Sequence, residues 1–141
     1  MYSAKVIAMY IVDRCHHIGQ PISHLKLQKI LYFIQASFLK DTGRPCFADE
    51  IRAWDYGPVV PSVHGIYKVY GNANIPNTGN RDVLANISAE DKLLLDIVVD
   101  SAAQYSALSL AELTQCQAPW KAAYGRPDNI IYPEVIKEYF H

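Results

Sequence analysis

Apolar residues recur along most of the chain at the spacing of one helix face. Val6, Ile7, Tyr10 and Ile11 follow Ser3, whose hydroxyl suits the free amides of a helix start. The pattern stops near Cys15–Gly19, where Gly19 and Pro21 break it. Ser23 stands at a capping position before the longest periodic segment, about residues 24–41. Its stripe is Leu27, Ile30, Leu31, Ile34 and Phe38, and Gly43 follows where a helix stop belongs. After Pro61, the spacing of Val63, Ile66, Tyr67 and Tyr70 predicts a short helix closed by Gly71. Ser88 predicts a helix to about Gln104 that is apolar nearly all round, with Lys92, Asp96 and Asp100 as its polar stripe. A helix of that kind belongs in the centre of a bundle. Ser109-Leu110-Ala111-Glu112 has the form of a capping box and opens a further short helix. Pro119 interrupts before Trp120, and a last segment runs from about Pro133 to Phe140.

Two stretches depart from this period. From Cys46 to Trp54 the residues alternate, with Ile51 and Ala53 on one side and Glu50, Arg52 and Trp54 on the other, which predicts a short extended arm. Tyr56-Gly57-Pro58 then reads as a turn. Residues 71–87 are rich in Gly, Asn and Pro and are expected to form a long, mobile loop. The expected fold is mainly α: a compact single-domain bundle over residues 1–141, with five to six helices around a buried central helix and a small β element near 46–54.

Composition narrows the function classes. Only 19% of residues are charged against 50% hydrophobic, below the usual quarter, and ten are tyrosine. Such surface suits a protein contact. Net charge is −1, so no global field recruits nucleic acid, and the cations of the first half form no evident recognition helix; nucleic-acid binding is not expected. Cys15, Cys46 and Cys116 are odd in number and far apart, which fits neither a disulfide framework nor a zinc site. Lys5, Asp13 and Arg14 interrupt any signal-peptide core, and no apolar run nears the ~20 residues of a membrane span. Cytoplasmic localisation, with no membrane partner, is the expectation.

Chemistry is sparse. The chain lacks GxxxxGK[ST], GxGxxG and HExxH, so no cofactor and no metal is expected. His16 and His17 beside Cys15 read as a helix end, and nothing local activates Cys116 or His64. No catalytic residue is assigned and the chain is not expected to be an enzyme. The enzyme alternative requires a pocket where Asp55, His64 and a tyrosine converge; the other alternative is a DNA-binding autoregulator.

Leu25-Lys26-Leu27-Gln28-Lys29-Ile30-Leu31-Tyr32-Phe33-Ile34-Gln35-Ala36, then Gly43-Arg44-Pro45-Cys46-Phe47, then Ile51-Arg52-Ala53-Trp54-Asp55-Tyr56-Gly57-Pro58-Val59-Val60-Pro61-Ser62-Val63, resemble in order and spacing the Panacea domain, a family of SocA-like and phage-associated GepA-like antitoxins. Leu113-Thr114-Gln115 and Pro119-Trp120-Lys121 resemble its later segment, with Gln115 where relatives often have histidine. The resemblance implies an antitoxin of a bacterial or phage (prophage) toxin–antitoxin system that binds a cognate protein toxin directly, with delivery of the toxin to a Clp-type protease as a further route. Leu27, Leu31, Trp54, Gly57, Pro58 and Trp120 are expected to serve the fold, with Trp54 as a core plug. Asp55 is expected to pair with Lys29 and pin the turn to the long helix; in the rival reading both face the toxin. The expected contact surface combines Lys26, Lys29, Tyr32 and Phe33 with Asp55 and Tyr56, and loop 71–87 is the second candidate.

Overall fold

A computed structural model describes residues 1–77 and 81–141 of the chain. Eight α-helices and three short strands form among these residues: α1 (Ala4–His17), α2 (His24–Thr42), β1 (Ile51–Trp54), β2 (Gly57–Val59), α3 (Pro61–Tyr67), α4 (Arg81–Leu84), α5 (Ala89–Ala102), α6 (Ala107–Gln115), α7 (Ala118–Tyr124), β3 (Ile130–Ile131) and α8 (Pro133–Tyr139). The mainly α fold with a small β element is as expected. The helix number exceeds five to six because α4 has only four residues and α7 starts at the proline expected to interrupt, with Pro119 in its first turn.

Hydroxyl caps set most of the helix starts. Ser3, Ser23 and Ser88 accept amides from Val6, Lys26 and Asp91 respectively. The cap of α6 is Ser106, not Ser109: Ser106 accepts the Ser109 amide, so the helix starts a turn earlier than the capping-box pattern suggests. Gly43, at φ 75°, closes α2 with a left-handed residue.

The central helix is α2, not α5. α2 packs against α1, α5, α6, α8 and β2. α5 buries only Leu95, Val99 and Ala102, a single stripe at i, i+4 and i+7. Its acidic positions are not a solvent face. Asp96 accepts from the Tyr10 hydroxyl at 2.6 Å, and Asp100 takes Arg14 in a two-point pair at 2.9 and 2.6 Å. The polar stripe therefore faces α1, and Leu93 and Ile97 are left 67% and 68% exposed. Periodicity identifies the helix, but the partners of Asp96 and Asp100 lie more than 80 residues away and set its orientation.

The strands form one antiparallel sheet in the order β2-β1-β3. Trp54 faces Gly57 and Ala53 faces Pro58, so the turn is Asp55-Tyr56, and Gly57 and Pro58 belong to a strand. β3 pairs through Ile51–Ile131 and Arg52–Ile130, a two-residue element too short for an alternating pattern to announce. Residues 71–87 are largely tied down where described. The Ile75 amide donates to the Ile22 carbonyl at 2.8 Å, α4 forms within the stretch, and Ile75, Leu84 and Ile87 are buried. Three apolar anchors hold a segment whose Gly/Asn/Pro content reads as loop; residues 78–80 lie outside the described residues.

Candidate functional site

Four polar side chains on α2 point inward and hold later segments, three by their backbone and Tyr32 by a side chain. Gln35 accepts the Cys46 and Phe47 amides at 2.8 and 3.3 Å and donates to the Phe47 carbonyl at 2.9 Å. Seven residues earlier, on the same face, Gln28 accepts the Val60 amide at 2.8 Å and turns its NH2 to His24 Nε2 at 2.9 Å. Lys29 Nζ donates to the Pro58 carbonyl at 2.8 Å, and the Tyr32 hydroxyl donates to Gln117 at 2.8 Å. Lys29 and Tyr32 are 0% exposed. Burial pushes the Lys29 amine down to about 7 and raises the Tyr32 phenol.

Lys29 does not pair with Asp55. The Asp55 carboxylate accepts from the Tyr124 hydroxyl at 2.6 Å, and its carbonyl accepts from the Gln115 side chain at 2.7 Å. A pin to the helix exists, but it holds β2 rather than the turn, and a backbone carbonyl supplies it. Gly57 makes the approach possible: at φ 111°, a Cβ there would stand 2.7 Å from the Thr114 hydroxyl and 3.1 Å from Lys29 Cε. Gln115 thus holds the turn from α6, and this explains its side chain without any chemistry. Trp54 is half-buried rather than a core plug, because its ring edges a hollow; its carbonyl accepts the Trp120 indole at 2.9 Å.

The surface offers two concave regions of note. At the tip of the hairpin, a hollow of about 500 Å³ is lined by His24, Trp54, Tyr56, His64 and Lys68 over Leu25 and Val59. Histidine and tyrosine do converge here, but Asp55 does not join them. The other is an apolar groove of about 350 Å³ between α2, α5 and α6, walled by Phe33, Ile97, Val98, Tyr105, Leu110 and Leu113. Of its lining, Ile97, Tyr105 and Leu113 are more than half exposed, as are Leu93 on α5 and Leu108 on α6. No described helix alone is long and apolar enough to cross a membrane; α5 and α6 reach that apolarity only as a pair bent by 102°.

The six residues expected to form one contact surface therefore separate. Lys29 and Tyr32 are enclosed, because each satisfies a backbone or side-chain partner inside the fold. Lys26 is half-buried and caps the C-terminal end of α5 through the Ala103 carbonyl. Phe33 lines the apolar groove. Asp55 and Tyr56 are exposed at the hairpin turn. Sequence reasoning places Ile97 in the core; the signal that marks its exposure is a helix, α5, too apolar for the one stripe it buries.

The profile of the Antitoxin SocA-like, Panacea domain family matches residues 27–121. The chain belongs to this family. The matched region of this Panacea chain runs from α2 into α7 and contains the inward polar row, the hairpin, the groove and all of the hollow's lining but His24 and Leu25. Among curated proteins it resembles Antitoxin SocA of Caulobacter vibrioides (strain NA1000 / CB15N), 36% identical over 85 residues. That alignment covers 60% of this chain and 45% of the relative's length. No solved structure matches. The motif through which the Panacea likeness is legible, Leu25 to Ala36, is mostly interior: Leu27, Gln28, Lys29, Leu31, Tyr32 and Gln35 are all buried.

Proposed function

We propose that this chain, acting as one Panacea-like domain, is the antitoxin of a bacterial or phage toxin–antitoxin pair, and that it silences a cognate protein toxin by direct binding through the outward side of α5 and α6. Family membership supports the class of activity. The observation that carries the surface is the set Ile97, Tyr105 and Leu113, apolar side chains left in water while lining a groove that could accept a partner's side chains, with Leu93 and Leu108 also exposed on the same two helices. Buried apolar and aromatic anchors dominate protein–protein affinity, and this set has that composition. Phe33 extends it from α2. The charge of the region states what the partner's segment carries. No Lys or Arg stands between residues 93 and 120, and Glu90 and Glu112 are exposed, so an apolar segment with basic flanks fits best.

The test is co-expression. Each open reading frame adjacent to this one is induced alone and together with this chain, and growth is scored. One neighbour is toxic alone and tolerated together. Ile97→Lys abolishes the rescue, whereas Val69→Lys, at an apolar residue 79% exposed elsewhere, preserves it. If no neighbour is toxic, or none is bound and rescued, the antitoxin reading fails. Rescue that survives Ile97→Lys moves the contact off α5. Delivery of the toxin to a Clp-type protease would add a shortened toxin half-life that disappears in cells lacking the protease.

A further inference from the structure

The hollow at the hairpin tip takes no part in the proposed toxin contact, and the donors around it are unusual. Gln28 is locked by the Val60 amide, which its carbonyl oxygen accepts at 2.8 Å, so it is the NH2 that meets His24 Nε2 at 2.9 Å. That nitrogen must accept, which places the ring proton on Nδ1. His24 is only 8% exposed, and burial and the neighbouring His64 hold its pKa down to about 4, so it remains a neutral N–H donor at physiological pH. The rings of His24 and Trp54 each lie 5.0 Å from His64, the second edge-on. Lys68 follows His64 by four residues, on the same side of the helix, and is exposed with no ion pair among the described residues. Tyr56, also in the lining, is 69% exposed.

None of the residues lining the hollow is acidic. The nearest carboxylate in sequence, Asp55, is held by Tyr124 outside it. The walls therefore offer aromatic faces, N–H and O–H donors and one free ammonium, and nothing that repels a negative charge. A volume of about 500 Å³ lies within the usual range for a small ligand.

We infer that this hollow binds a small planar anion, an aromatic or heteroaromatic ring carrying a carboxylate or phosphate, with the ring against Trp54 and Tyr56 and the charged group between Lys68 and the histidines. Stacking selects the ring, and charge-assisted hydrogen bonds select the anion. This site is independent of the toxin contact, and its failure leaves that reading intact.

The experiment is amide and indole NMR of the intact chain, titrated in separate arms with adenosine 5′-monophosphate, 4-hydroxyphenylacetate, adenosine and inorganic phosphate. The two tryptophans give an internal control, since Trp54 lines the hollow and Trp120 does not. Saturable shifts of the Trp54 indole, larger than any relayed to Trp120 through its hydrogen bond to the Trp54 carbonyl, are expected at millimolar ligand or below for at least one of the two ring-bearing anions. Which of the two saturates distinguishes a phosphate source from a carboxylate source. Adenosine and inorganic phosphate each bind at least roughly tenfold more weakly, because each lacks half of the recognised chemistry. Lys68→Glu, at a solvent-exposed position that leaves folding intact, weakens the bound anion by roughly tenfold or more. The inference is overturned by absence of saturation in both anion arms, by equal shifts at Trp120, or by unchanged affinity in Lys68→Glu.

Discussion

α2 carries glutamines and lysines among its apolar residues and buries 12 of its 19 positions, whereas α5, built mostly of Leu, Ile, Val and Ala, buries 3 of 14. The difference lies in where partners stand, not in side-chain hydropathy. Each buried polar group of α2 meets a backbone amide, a carbonyl or a second side chain, so its desolvation is offset. α5 turns its carboxylates to Tyr10 and Arg14 on α1, and its leucine and isoleucine side is what remains for water or for a partner. A polar residue can thus be the most committed part of a core, and an apolar one the most available part of a surface.

The sharpest way to break this contrast is at Gly57, where the strand rests against Lys29. Gly57→Ala forces a Cβ to 2.7 Å from the Thr114 hydroxyl at a backbone angle that only glycine adopts readily. It is expected to cost about 3–4 kcal/mol in urea unfolding. A loss below 1 kcal/mol would mean that the turn can relax away from α2. Next in size is Gln35→Leu, which leaves the amides of Cys46 and Phe47 and the carbonyl of Phe47 without their side-chain partner. About 2–3 kcal/mol of destabilisation is expected, although the new side chain is the more hydrophobic. A neutral result would show that the inward polar row is incidental.

A subtler probe is pH. Lys29 releases its proton at about 7 in the fold and near 10.5 when the chain unfolds. Between those values the unfolded state binds more protons, so stability rises with pH, by at most about 1.4 kcal/mol per unit from this group. Below about 7 both states are protonated and this dependence ends. Lys29→Met should flatten the rise between pH 7 and 10 in thermal or urea unfolding; an identical slope in both proteins would place the ammonium in water. The smallest effect on stability is expected at Ile97→Lys, within about 0.5 kcal/mol, because the side chain is already 68% exposed. A large loss there would return α5 to the core and remove the surface proposed for the toxin.

Much of the architecture was legible in the chain. Ser3, Ser23 and Ser88 marked helix starts, Gly43 a stop, and the alternation of Ile51 and Ala53 a strand whose inner side they occupy. These features are local, and local stereochemistry decides them. What the sequence hid depends on distant partners. α5 could be recognised as a helix but not oriented, since Arg14 and Tyr10 lie on another element. Lys29 could be tied to the hairpin, but with the wrong acceptor, because a carbonyl leaves no trace in residue identity. The surface expected on α2 divides for the same reason, since Lys29 and Tyr32 are enclosed by internal partners. Cationic and aromatic residues of α2 resemble a hot spot until their internal partners are known, and Ile97 resembles core until its side of α5 is seen.

The glutamine clamps bear on how a substitution screen of this protein should be interpreted. An amide offers a donor and an acceptor at fixed geometry, and neither Glu nor Leu supplies both, so positions 28 and 35 will tolerate few replacements. Scored by survival against a toxin, they will look like recognition residues although no partner touches them. Soluble yield separates the two kinds of loss. Variants at Gln28 and Gln35 will forfeit rescue together with folded protein, whereas variants along α5 will forfeit rescue and stay folded.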